Sequence, residues 1–141
     1  NASLAAVSGF VGTVLMTGGI GTAIVIGVLD PASFGEIAEL IGLPQDPVIG
    51  ALLFLVAGTV TWPLVFLAFQ KYLPGKRMFE TGVVFATLIA TGFSVAFYPG
   101  QGGLALGGYL TFVFVAHWTY GLGQAHPFQY LRSRRKRTTE G

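Results

Sequence analysis

Four long apolar runs, each 20 residues or longer, alternate along this chain with short stretches that hold nearly all of its charge. They extend roughly over Leu4 to Leu29, Val48 to Phe69, Phe79 to Tyr98 and Leu104 to Gln124, and none has Asp, Glu, Lys or Arg in its interior, Glu80 lying at the edge of the third. A helix needs about 20 apolar residues to cross the hydrocarbon core of a bilayer, so each run predicts a transmembrane helix. A different pattern fills the gap between the first two runs, where PASFGEIAELIGLPQDP is read. Ser33 as N-cap with Glu36 three residues on, Phe34, Ile37 and Ile41 at helical spacing, Gly42 as a stop and Pro44 beyond it predict a short amphipathic helix in the outer interface. The predicted fold class is therefore all-α integral membrane, with four transmembrane helices plus this interfacial helix.

Composition removes the alternative that these runs are the core helices of a soluble globule. With 52% hydrophobic and 10% charged residues and a mean hydropathy of +0.68, the chain has too little polar surface to cover such a core. The first run is read as a retained helix, because its apolar length far exceeds the core of a cleaved signal. Charge then orients the bundle. Lys71, Lys76 and Arg77 lie between runs two and three, and Arg132, Arg134, Arg135, Lys136 and Arg137 follow run four, which accounts for all 8 bases. An even number of crossings puts both groups on one face, and the positive-inside rule makes that face cytoplasmic, with both termini inside. Four of the 6 acids, Asp30, Glu36, Glu39 and Asp46, fall in the opposite loop, at spacings that match no calcium-loop pattern. Residues 1–131 are read as one four-helix transmembrane domain and 132–141 as a basic cytoplasmic tail that contacts anionic lipid and fixes topology. The clustered bases carry no nucleic-acid signature.

Helices in lipid associate through close backbone approach, so small residues mark the seams. Gly9, Thr13, Thr17 and Gly21 recur every fourth position in run one, as do Gly82, Ala86, Ala90 and Ser94 in run three, and Gly103 and Gly107 open run four. These are the predicted helix-packing residues. Trp62-Pro63 lies inside run two, where the missing proline N–H predicts a kink, with Thr59 and Thr61 at hand to satisfy the freed carbonyl.

His117 is the one ionisable group deep in an apolar run, and intramembrane ionisable groups are functional hypotheses by default. It is the candidate cofactor-binding residue. A bis-histidine haem site is disfavoured, because His126 is nine positions on, about 13.5 Å along the axis and on the opposite face. That leaves Met16 as the possible axial partner from this chain. A proton relay lacks carboxylates, so the reading preferred from sequence is a neutral His117 hydrogen-bonded to a Thr, a Ser or a carbonyl. His126, Trp118, Tyr120, Tyr130 and Tyr72 read as an interfacial belt. No catalytic triad, HExxH or phosphate loop is present, and with Cys 0 there is no thiolate nucleophile or thiolate metal site. The chain is expected to be neither an enzyme nor a metal protein, and to need no cofactor of its own.

GFVGTVLMTGG at Gly9 to Gly19 and FLVAGTVTWPLVFLAFQKYLPG at Phe54 to Gly75 resemble a haloarchaeal-type family of small four-helix membrane proteins of unassigned function. The shared positions are Gly12-Thr13, Met16-Thr17, Ala57-Gly58, Trp62-Pro63 and Tyr72 to Gly75, and His117 with Tyr120-Gly121 is similar to its closing element. The family is often encoded near haem-copper terminal oxidase genes. The resemblance implies a noncatalytic accessory subunit of a larger membrane complex, most plausibly a respiratory terminal oxidase, with other membrane subunits and lipids as partners. The alternatives are a stand-alone oligomeric carrier or channel with Pro63 as hinge and His117 lining the path, and a b-type haem or quinone anchor.

Overall fold

A computed structural model describes residues 2–98, 100 and 102–139, with the side chains of 134–139 excepted. Its described residues are helices and connecting turns, without a strand. Helix α1 spans Ala2–Val25, a 3-10 turn over Pro31–Phe34 leads into α2 at Gly35–Leu40, and α3 covers Pro47–Val56. A π-helical segment, Ala57–Thr61, joins α3 to α4 at Trp62–Phe69 without a break; α5 is Met78–Ala96 and α6 is Gly103–Thr139.

Local chemistry sets these ends. Gly27 and Gly42 have φ of 75° and 80°, left-handed values that cost glycine nothing, and each lies just past a helix that it terminates. Asp46 caps α3, its Oδ1 accepting from Val48 N at 2.7 Å and Ile49 N at 3.2 Å. Glu80 starts α5 by accepting from Lys76 N at 2.7 Å and Arg77 N at 3.2 Å. The interfacial segment is where the sequence prediction fails in detail. Asp30, not Ser33, is the cap, accepting from Ala32 N at 2.9 Å, because Pro31 favours a first turn that begins there. The resulting element is a 3-10 turn followed by a six-residue α-helix.

Helix α6 is central, packed against α1 and α5, while the π-helical segment and α4 lean on α1 and α3 packs against the 3-10 turn and α2. Three spans among the described residues, Ala2–Val25, Pro47–Phe69 and Met78–Ala96, are long and apolar enough to cross a membrane, not the four predicted. The exception is α6. It has ample length, but Tyr109, Thr111, His117, Thr119, Tyr120 and Gln124, set among glycines, dilute its apolar character. Of these, His117, Tyr120 and Gln124 are buried by the neighbouring helices. Nor does α6 stop near Gln124: it continues through Pro127 and across the 131–132 boundary.

Candidate functional site

The polar groups of the helix interior form two layers, and the inner one holds the bundle together. At its centre is the segment before Pro63. Trp62 N donates to Ala57 O, a bond in the wider π register. In the same register the next donor would be residue 63, and proline has no N–H, so Gly58 O is left without a helical partner. Tyr120 of α6 supplies the missing donor, its hydroxyl giving a 2.7 Å hydrogen bond to Gly58 O. Tyr120 is thus a buried interhelical strut and no member of an interfacial belt; Thr59 and Thr61 make no such bond among the described residues. Around this strut α1 comes close. The Pro63 ring occupies the space where a side chain on Gly9 would be, and a Cβ on Gly58 would lie 2.5 Å from Thr13 Oγ1. The expected kink is therefore a π-helical segment clamped from two sides.

The small-residue stripes are in part corrected. Gly9 and Thr13 are buried, but Thr17 and Gly21 are exposed, and Gly12, Met16 and Ile20 take their place on the buried face. A four-residue step overshoots the 3.6-residue turn by about 40° each time, so a strict i+4 stripe rotates off its own seam. On α5, Gly82, Ala86 and Ala90 are buried and Ser94 is half-buried. Their partner on α6 is Gly121, not Gly103 or Gly107, which face open space. A Cβ on Gly82 would lie 2.7 Å from Gly121 O, and one on Gly121 would lie 2.5 Å from Gly82 O. Trp118 adds a cross-link, donating from Nε1 to Thr87 Oγ1 at 2.9 Å.

The outer layer contains His117, 5% exposed. Its Nδ1 lies 2.8 Å from Val113 O, and since a carbonyl only accepts, Nδ1 carries the proton. The preferred sequence reading, a histidine bonded to a carbonyl, is what the geometry contains. The neutral ring then keeps Nε2 as an acceptor, and no second hydrogen bond to His117 is present among the described residues. The ring packs against Phe93 with centroids 5.3 Å apart.

His117 lies where two cavities meet. One, of about 360 Å³, sits under α2 and is walled by Met16, Ile20, Phe34, Tyr109 and Phe112, with Asp30 and Glu36 as its charged groups. The other, of about 730 Å³, is a groove between α3–α4 and α5 that runs from Ile41 to Leu73 and has no charged lining residue. Ile37, Phe54, Phe93, Phe97 and His117 line both. The groups that could bind a cofactor are therefore the Nε2 of His117 and, in the same cavity wall, the thioether of Met16. His126 is exposed and lines neither cavity. No cluster of three His, Cys, Asp or Glu with metal-binding geometry occurs among the described residues. Arg132 is exposed, and the side chains of Arg134, Arg135, Lys136 and Arg137 lie outside the described residues.

The sequence places Tyr120 in a belt and Gly12 and Gly121 in motifs without showing their packing roles, and it does not show the second wall of the His117 site. Only the glycines had a signal to offer: Gly121 and Ala125 are four apart and match the predicted stripe on α5.

Fold and interior define a class, the small helical bundle with membrane-type spans, held by backbone contacts at glycine and a few buried hydrogen bonds. The chain belongs to a family of unknown function (DUF6789), whose sequence pattern matches residues 1–139. No curated protein matches it, and no solved structure does.

Proposed function

We propose that this chain is a four-helix integral protein of the cell membrane, with α6 as the fourth crossing and both termini cytoplasmic. In this reading it serves as a noncatalytic subunit of a larger membrane assembly. Support for the fourth crossing comes from the burial of Tyr120 and Gln124 in the centre of the bundle, since α1 and α5 cannot both flank α6 in the membrane while it stays outside. The bases at Lys71, Lys76, Arg77, Arg132, Arg134, Arg135, Lys136 and Arg137 support the orientation.

The observation that carries the subunit reading is the peripheral position of α3–α4. This span is the most apolar of the three, yet 17% of its most apolar stretch is buried, against 39% for α1. Val48, Leu52, Leu55, Val60 and Leu64 are left as an exposed apolar face. Lipid would cover it in a lone chain, and a neighbouring subunit in an assembly. The resemblance of the sequence motifs to a family encoded beside terminal oxidases makes a respiratory oxidase the first assembly to test. Extraction in mild detergent followed by mass spectrometry is expected to recover the chain with other membrane subunits; migration as a homo-oligomer alone would overturn the reading. The rival carrier mechanism needs Pro63 to act as a hinge, and the contact of Pro63 with Gly9 and the Tyr120 strut argue against that movement.

A further inference from the structure

His117 is more than a satisfied packing residue, because its hydrogen bond to Val113 satisfies one nitrogen and leaves the other unused at the junction of two cavities. That arrangement has defined chemistry. A carbonyl that holds Nδ1–H fixes the tautomer and the ring orientation, so Nε2 is presented as a lone pair. A lone pair takes a hydrogen-bond donor or a metal ion.

The surroundings choose between these. A haem would fit the nitrogen, with Met16 available as a second ligand, but haem carries two carboxylates that need cations or donors. The charged residues lining the cavities are Asp30 and Glu36, both acidic, and neither cavity has a lysine or arginine in its wall. The same repulsion disfavours fatty acids and anionic phospholipid headgroups. What remains is an uncharged molecule with a donor at one end. Phe54, Phe93 and Phe97, shared by both cavities, favour a flat ring, which stacks or meets them edge on. From this point the uncharged groove extends along α3–α4 to Leu73, a path for a long apolar tail. Both volumes, about 360 Å³ and 730 Å³, lie in the range of small-molecule sites.

We propose that His117 and the groove between α3–α4 and α5 form a binding site for a membrane quinol, a hydroxyl-bearing ring with an isoprenoid tail, whose hydroxyl donates to His117 Nε2. The site goes beyond the subunit reading and does not depend on it: the exposed face of α3–α4 uses Val48, Leu52, Leu55, Val60 and Leu64, none of which lines the groove. Each can fail without the other.

The test measures retention of radiolabelled decylubiquinol, and separately of decylubiquinone, by the full chain in nanodiscs of uncharged lipid. The quinol has the donor and the quinone lacks it, so the wild-type chain should bind the quinol at least tenfold more tightly. His117→Leu should abolish that preference. Gly92→Leu provides a check that does not touch the histidine, because Gly92 lines the groove and a Cβ there meets no atom within 4 Å. That variant should fold normally and lose tenfold or more in affinity for both forms. Quinol affinity unchanged in Gly92→Leu, or no preference for quinol over quinone in the wild type, overturns the proposal. So does a Soret band that follows the purified wild-type chain and vanishes in His117→Leu.

Discussion

The two flanks of α6 and the groove side of α5 both present glycine, and they behave in opposite ways. Where α6 meets α5 and α1, glycines face each other and the backbones approach so closely that a single methyl group would collide with a carbonyl. Across the groove, Gly92 of α5 faces open space and the opposing wall is leucine, valine and phenylalanine. In lipid an apolar side chain gains little by exchanging an acyl chain for a protein neighbour, so only close backbone contact and hydrogen bonding draw helices together. The α5 seam has both, and the α1 seam has the close backbone contact. The groove has neither, and it stays open.

The sharpest way to break this contrast is to put the same side chain on both sides of it. Gly82→Leu should cost about 3 kcal/mol or prevent folding, because it overpacks a backbone contact, whereas Gly92→Leu should stay within about 0.5 kcal/mol of the wild type. Fluorescence-monitored unfolding in detergent would measure both, and equal effects would dissolve the distinction. Next in size is the Tyr120 strut. Tyr120→Phe leaves Gly58 O buried without a partner and should cost about 1 to 2 kcal/mol. In a Pro63→Ala background the restored N–H can satisfy a carbonyl of the same segment, so the cost of Tyr120→Phe should fall by at least half, read by a double-mutant cycle. Undiminished cost would mean that the proline did not create the vacancy. A smaller effect is expected at Thr13, whose buried Oγ1 has no hydrogen-bond partner among the described groups. Thr13→Val keeps the shape and should be neutral or stabilising by up to about 1 kcal/mol. Smallest of all, Leu52→Ala on the exposed face should change the stability of the isolated chain by less than about 0.5 kcal/mol. If a partner covers that face, the same substitution should instead weaken co-purification.

The fold was legible wherever a local rule sufficed. Predicted spans at Val48 to Phe69 and Phe79 to Tyr98 lie within two residues of the observed Pro47–Phe69 and Met78–Ala96, because long uncharged apolar runs have few alternatives to a helix. Asp30 and Ser33 both suit the cap role by residue type, and Pro31 decides for Asp30. On α5 the residues at a step of four are buried down to Ala90, while on α1 they are exposed beyond Thr13, since such a step drifts by about 40° per turn.

By itself, then, the sequence determined that the chain is helical, that its charge is segregated, and that His117 is its one ionisable group deep in an apolar run. These depend on composition and on spacing within a single segment. Only the tertiary structure decided that Tyr120 completes the backbone of another helix, that Gly121 and not Gly107 meets α5, and that His117 opens onto two cavities. Each of these joins residues far apart along the chain, and which faces of two helices meet is set by packing around both at once, which no single segment encodes.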